Sequence, residues 1–144
     1  MSYSKRRRVI AGNWKMFKTQ AETRAFFAAF NPLVASVTDC DIVIAPPAVD
    51  IPAAVEATKG THIAISAQNV YWEKEGAFTG EISAGMVAEA GCRYTIIGHS
   101  ERRHIFGVGL RYLCQTLRLF HPFAQRLIRP FTYRGASGAF VFRG

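Results

Sequence analysis

Over its first hundred residues the chain alternates short apolar runs with stretches of helical periodicity. Arg8 to Trp14 reads as a short buried strand ending in polar groups. Thr19-Gln20-Ala21-Glu22 has the form of a capping box, with an acid three residues after the cap. Phe26, Phe27, Phe30, Leu33 and Val34 then follow at helical spacing, so the three phenylalanines are expected to face a core. Pro32 is expected to interrupt or restart that helix. Asp41 to Ala45 is a second strand, stopped by Pro46-Pro47. Asp50 is placed to cap a helix with Pro52 in its first turn and Gly60 at its end. His62 to Gln68 is a third strand, followed by a polar loop from Asn69 to Gly80 that contains Tyr71, Trp72 and Phe78. Ser83 opens a short helix closed by Gly91, and Tyr94 to Ile97 is a fourth strand. Apolar strands alternating with helices predict an α/β fold with a parallel sheet and right-handed crossovers.

After Gly107 this rhythm is lost. Leu110, Leu113, Leu117 and Phe120 could share one helical face, Pro122 and Pro130 break the chain, and residues 135–144 suggest neither a strand with a place in the sheet nor a capped helix. Charge changes at the same point. The net charge is +8, but residues 1–107 carry twelve basic and all ten acidic side chains, whereas residues 108–144 carry six arginines, no lysine and no acid. The sequence therefore divides into a domain of residues 1–107 and a basic tail of residues 108–144.

Composition adds limits. An apolar content of 49% with 19% charged residues fits a globular chain. No apolar run is long enough to span a bilayer. Lys5 to Arg8 reads as a solvated basic lead-in, and the apolar run behind it is too short for a secretory signal. Cys40, Cys92 and Cys114 are widely spaced, with no CxxC, which fits neither a disulfide framework nor a zinc site and suits a reducing compartment. His62, His104 and His121 have no ligand partners at metal spacing, and Cys92 reads as a small buried residue.

Two stretches carry candidate chemistry. Gly12-Asn13-Trp14-Lys15 follows the first strand, where an amide and a lysine can hold an anionic substrate; the bland alternative is an ordinary surface lysine. Gly98-His99-Ser100-Glu101-Arg102-Arg103 follows the fourth, with Ser100 available to cap the next helical turn. Carboxyl ends of parallel strands are where α/β folds place ligands, and a histidine there can polarise or protonate an oxygen. The bland alternative is a capped helix start with a solvated charge run.

Taken together, Ala11-Gly12-Asn13-Trp14-Lys15-Met16, Ala45-Pro46-Pro47, Ala67-Gln68-Asn69, Gly76-Ala77-Phe78-Thr79-Gly80-Glu81 and Ile97-Gly98-His99-Ser100-Glu101-Arg102-Arg103 closely resemble the triosephosphate isomerase family over about residues 8–107. The resemblance implies a TIM (β/α)8 barrel, of which about the first four β/α units are present. It implies interconversion of dihydroxyacetone phosphate and glyceraldehyde 3-phosphate in glycolysis and gluconeogenesis, by proton transfer through an enediolate. It also implies no cofactor and no metal, a small phosphorylated triose as substrate, a homodimer and a cytoplasmic location. In the same way Asn13 and Lys15 match substrate-contacting residues, His99 the electrophilic histidine and Glu101 the acid that supports the lysine side of the site. The loop from Gln68 to Glu81 matches an interface loop whose tip carries Thr79 to the partner's site. A helix N-terminus that keeps the histidine neutral is a property of the family itself.

The chain departs from the family at Phe17, where a polar residue is usual, and throughout residues 108–144. The catalytic carboxylate, the lid loop and the phosphate-cradling backbone have no counterpart there. A barrel of this kind takes about 250 residues. The chain as written is therefore expected to be inactive and poorly stable alone, and a shifted reading frame just after Gly107 would produce the abrupt change. A reading of another class is a non-catalytic fragment. It would bind a partner subunit through the 68–81 loop, or nucleic acid or an anionic membrane through the tail. No nucleic-acid motif is present, and neither nucleic acid nor a membrane is expected as a partner.

Overall fold

The computed structural model describes residues 7–116, 131–132 and 140–143. Its first hundred residues follow the expected alternation. Strand β1 (Arg8–Asn13) leads to helix α1 (Gln20–Val34), β2 (Cys40–Ala45), a 3-10 turn (Ala48–Asp50), α2 (Ile51–Ala57), β3 (Ala64–Ala67), α3 (Ala84–Glu89), β4 (Tyr94–Ile97) and α4 (Ser100–His104). Strands β1 to β4 pair in order and in parallel, with Asn13 opposite Ala45 and Ala67 opposite Thr95. Their carboxyl ends thus share one rim of the sheet, which is where loops of a (β/α) fold place chemistry.

Both faces of the central strands are covered, which is why they read as continuous apolar runs. Ile42, Ile44, Ile63, Ile65 and Ala67 share one cluster with Phe27, Ile51, Ala54 and Val87 of the helices. Val43, Ala64 and Tyr94 cluster separately, as the two-residue side-chain period of a strand requires. Helix α1 starts with the capping box expected for it. Thr19 Oγ1 accepts from the Glu22 N–H, and the Glu22 carboxylate accepts from the Thr19 N–H at 2.8 Å. Those contacts hold the Glu22 carboxyl below its ordinary value, first through the Thr19 backbone N–H.

Several expectations need correcting. Strand β1 is not buried: Ile10 is 63% exposed, because among the described residues β1 pairs with β2 alone and forms an edge. Pro32 does not stop α1, which runs to Val34. The proline lies in the last turn, where one missing N–H removes little of the ladder. Asp50 stands at the N-cap of α2, yet its side chain makes no capping bond. It is fully buried, and among the described residues neither carboxylate oxygen has a hydrogen-bond partner. Arg7 and Arg8 are exposed but not simply solvated, since they pair with Asp41 and Asp39 and tie the start of β1 to β2.

The late residues also find a place in the sheet. Strand β6 (Phe140–Arg143) pairs antiparallel with the outer edge of β4, and β5 (Phe131–Thr132) pairs with β6. An unpaired central strand exposes a row of backbone donors and acceptors, and Phe-Val-Phe has the β propensity to satisfy them. Residues 110–116 are helical as the leucine spacing suggests, with Leu113 against the core and Leu110 exposed. Leu117, Phe120, His121, Pro122 and Pro130 lie outside the described residues, as do Lys5 and Arg6. No helix among the described residues is long and apolar enough to cross a membrane, and no group of three or more potential metal ligands occurs among them.

Candidate active site

The carboxyl rim brings Asn13, Lys15, His99 and Glu101 into one connected arrangement. Lys15 leaves β1 with φ +56°, a left-handed conformation that costs a non-glycine residue about 1–2 kcal/mol. Two contacts hold it there. The Lys15 N–H donates to Asn13 Oδ1 at 3.0 Å, and Gln68 Nε2 donates to the Lys15 carbonyl at 2.9 Å. Gln68 also donates to the Ala45 carbonyl at 2.9 Å, so it bridges the ends of β1 and β2 from the end of β3. Backbone strain that the surroundings over-determine is characteristic of functional sites.

Lys15 Nζ reaches Glu101 Oε1 at 2.6 Å, across 86 residues of sequence. Glu101 lies in the first turn of α4. Its carboxyl is held below the ordinary value, chiefly by the hydrogen bond from Lys15. The ion pair is therefore complete at neutral pH and is lost as pH falls through the lowered value, below the usual carboxylate range. In an NMR titration of the Glu101 side-chain carbonyl, Lys15→Ala is expected to move the midpoint up toward 4.5. An unmoved midpoint would mean that Lys15 does not set the charge of Glu101.

His99 is 9% exposed and caps α4 itself, in place of the Ser100 expected from sequence. Its Nδ1 accepts from the Glu101 backbone N–H at 3.2 Å. A nitrogen that accepts carries the lone pair, so the ring proton sits on Nε2. Glu101 Oε2 lies 3.5 Å from the same Nδ1, a weaker approach than the backbone bond. The imidazole is thus a fixed hydrogen-bond donor through Nε2, next to a lysine whose charge a carboxylate already balances.

Gly98 makes this turn possible. Its φ is +65°, and a Cβ there would stand 2.5 Å from Leu113 Cδ1. Left-handed strain of about 1–2 kcal/mol adds to an overpacking cost of about 1–3 kcal/mol. Gly98→Ala is therefore expected to lower stability in urea unfolding by at least about 2 kcal/mol. At Gly60, also left-handed, a Cβ would meet nothing within 4 Å among the described residues, so Gly60→Ala should show the backbone cost alone. Equal losses at the two positions would remove the steric argument.

Thr79 lies in the exposed tip of the loop after β3, and none of the described hydrogen bonds links it to Lys15 or His99. Phe17 is exposed beside a still more exposed Met16. The sequence marks Gln68 only as part of a motif and as the start of a loop, and gives it no place in the site. Its signal was a polar side chain ending an apolar strand, but a bond to another strand's backbone leaves no mark in the sequence. Cys92 is half-buried, and burial pushes its thiol up to about 11, which suits an inert packing residue. His62 and His104 are exposed.

Known proteins share this arrangement of sequence and fold. The sequence model of the family described as triosephosphate isomerase matches residues 8–118. A triosephosphate isomerase of Solibacter usitatus is 57% identical over 101 residues, covering 70% of this chain and 41% of the relative. One from Geobacter metallireducens is 54% identical over 99 residues, covering 69% of this chain and 39% of the relative. The crystal structure of triosephosphate isomerase from Bartonella henselae superposes with a TM-score of 0.73 at 32% identity, over 81% of this chain and 48% of that one. The chain thus spans about two fifths of the length of the curated relatives it matches.

Proposed function

The chain belongs to the triosephosphate isomerase family, and from that premise we propose that it carries the first half of a triose-phosphate isomerase site without the base that completes it. In this reading Asn13 and Lys15 hold the anionic triose phosphate, Lys15 as a point charge toward phosphate. His99 donates from Nε2 to the oxygen on which enediolate charge develops. Preorganised donors of this kind supply much of the stabilisation in such reactions. Glu101 keeps Lys15 extended across the rim and fixes the partner of His99. The observation that carries the reading is the continuous connection from Asn13 through Lys15 and Glu101 to His99.

The proton beside the substrate carbonyl must go to a base. Among the described residues, the carboxylate that ion pairs and hydrogen bonds bring to His99 is Glu101, and Lys15 engages it. Residues 108–144 contain no acid. Purified 144-residue protein is therefore expected to show no triose-phosphate isomerase turnover in a coupled assay. A robust rate that falls on His99→Ala would sink this reading.

The remaining parts of the proposal rest on the family. The substrate is a small phosphorylated triose, no cofactor or metal is required, and the working form is a cytoplasmic homodimer using the loop that carries Thr79. Free Cys40, Cys92 and Cys114 support a reducing compartment. We read residues 108–144 as a basic tail from a shifted frame, docked against the rest of the chain through Tyr112 and Leu113 and supported by the loss of every acid and lysine after Gly107. Translation of the other two frames past that codon should restore an acid-containing αβ pattern, and failure to do so ends that explanation.

A further inference from the structure

The loop between β3 and α3 is fastened by a residue from beyond Gly107. The Tyr112 hydroxyl lies 3.0 Å from the Val70 carbonyl oxygen and 3.2 Å from Asn69 Oδ1. It has one proton to donate, shared between two acceptors on the same limb of the loop. Asn69 is oriented to receive it, because its own amide nitrogen donates to Glu81 Oε2 at 3.2 Å across the loop base. The Tyr112 ring meets Trp72 edge-on at 4.9 Å and Tyr71 at 5.8 Å. Tyr71 in turn stacks on Trp72 at 4.0 Å and touches Phe78 at 4.6 Å.

The segment that presents Tyr112 is itself anchored. Leu113 packs against the main core and crowds Gly98. Thr116 is fully buried and donates to the Tyr112 carbonyl at 2.9 Å. Desolvation raises the Tyr112 phenol above its ordinary value, so the O–H stays a donor throughout the neutral range. Beyond this fastening the loop is open, with residues 73–80 all exposed.

We propose that Tyr112 is an intramolecular latch: it holds the Asn69–Tyr71 limb closed, so that order in the 69–81 loop depends on residues 110–116 remaining docked. This is a physical property of the chain whatever the origin of residues 108–144, and it assumes nothing about triose-phosphate chemistry.

Limited trypsin digestion of the full chain tests it. Lys74 lies in the exposed part of the loop, and Lys59, exposed after α2, is an internal reference. Cleavage tracks local opening when reclosing is fast. Tyr112→Phe keeps the ring and its packing but removes the hydroxyl bonds. It is expected to raise cleavage at Lys74 relative to Lys59 about fivefold. Tyr112→Ala, which also loses the ring contacts, is expected to exceed tenfold. An unchanged ratio in Tyr112→Phe, or an equal rise at both lysines, would overturn the latch.

Discussion

Replacing Phe27 with alanine is expected to remove most of the stability this chain has. Phe27 is fully buried where α1 lies on the sheet. Its ring meets Trp14 at 5.7 Å and Phe26 edge-on at 5.2 Å, so its loss opens a cavity and breaks two aromatic pairs. Phenylalanine-to-alanine changes in a core cost about 3–5 kcal/mol. Whole domains are stable by only about 5–15 kcal/mol. Here β1 is an unpaired edge among the described residues, which places the chain low in that range. The variant should lose its cooperative urea transition and its near-ultraviolet circular dichroism. Phe26 and Phe30 are only partly buried, and alanine there should cost less. An unchanged midpoint for Phe27→Ala would mean that α1 does not depend on this contact.

Absence of isomerase turnover is the second large effect, and it follows from chemistry more than from stability. Taking a proton from carbon and stabilising the resulting enediolate are separate tasks. General acid–base groups contribute about 10²–10⁴-fold, and removing one oxyanion donor costs about 10²–10³-fold. In the proposed reading the rim of this sheet supplies donors, through Nε2 of His99 and the charge of Lys15. The Glu101 carboxylate is committed to Lys15 at 2.6 Å, and its lowered pKa makes it a weak base for a carbon-bound proton. Electrostatic stabilisation without a base leaves the barrier to proton removal standing.

Much of this was legible in the sequence because it was local. The Thr19–Glu22 box and the Phe26, Phe27 and Phe30 spacing placed α1, and the apolar runs placed all four parallel strands. The candidate residues were legible as motifs at strand ends. What the sequence hid was relational. Exposure of Ile10 depends on whether a neighbouring strand lies beside β1, and capping by His99 depends on a ring rotamer that displaces Ser100 from that task. Gln68 acts through backbone carbonyls of other segments, and Tyr112 through the loop 42 residues earlier. The pairing of Phe140–Arg143 with β4 was missed because a strand's place in a sheet is set by the edge left open to it.

One coupled isomerase assay, run on two purified proteins, tests the central claim that residues 1–107 hold a competent half-site lacking its base. The first protein is the 144-residue chain. The second joins residues 1–107 to the remaining part of the Solibacter usitatus relative, which is 57% identical over the shared portion. The 144-residue chain should give no turnover above buffer. The joined protein should turn over and lose at least about 100-fold on His99→Ala. A robust, His99-dependent rate from the 144-residue chain, or a folded joined protein without activity, would contradict the account.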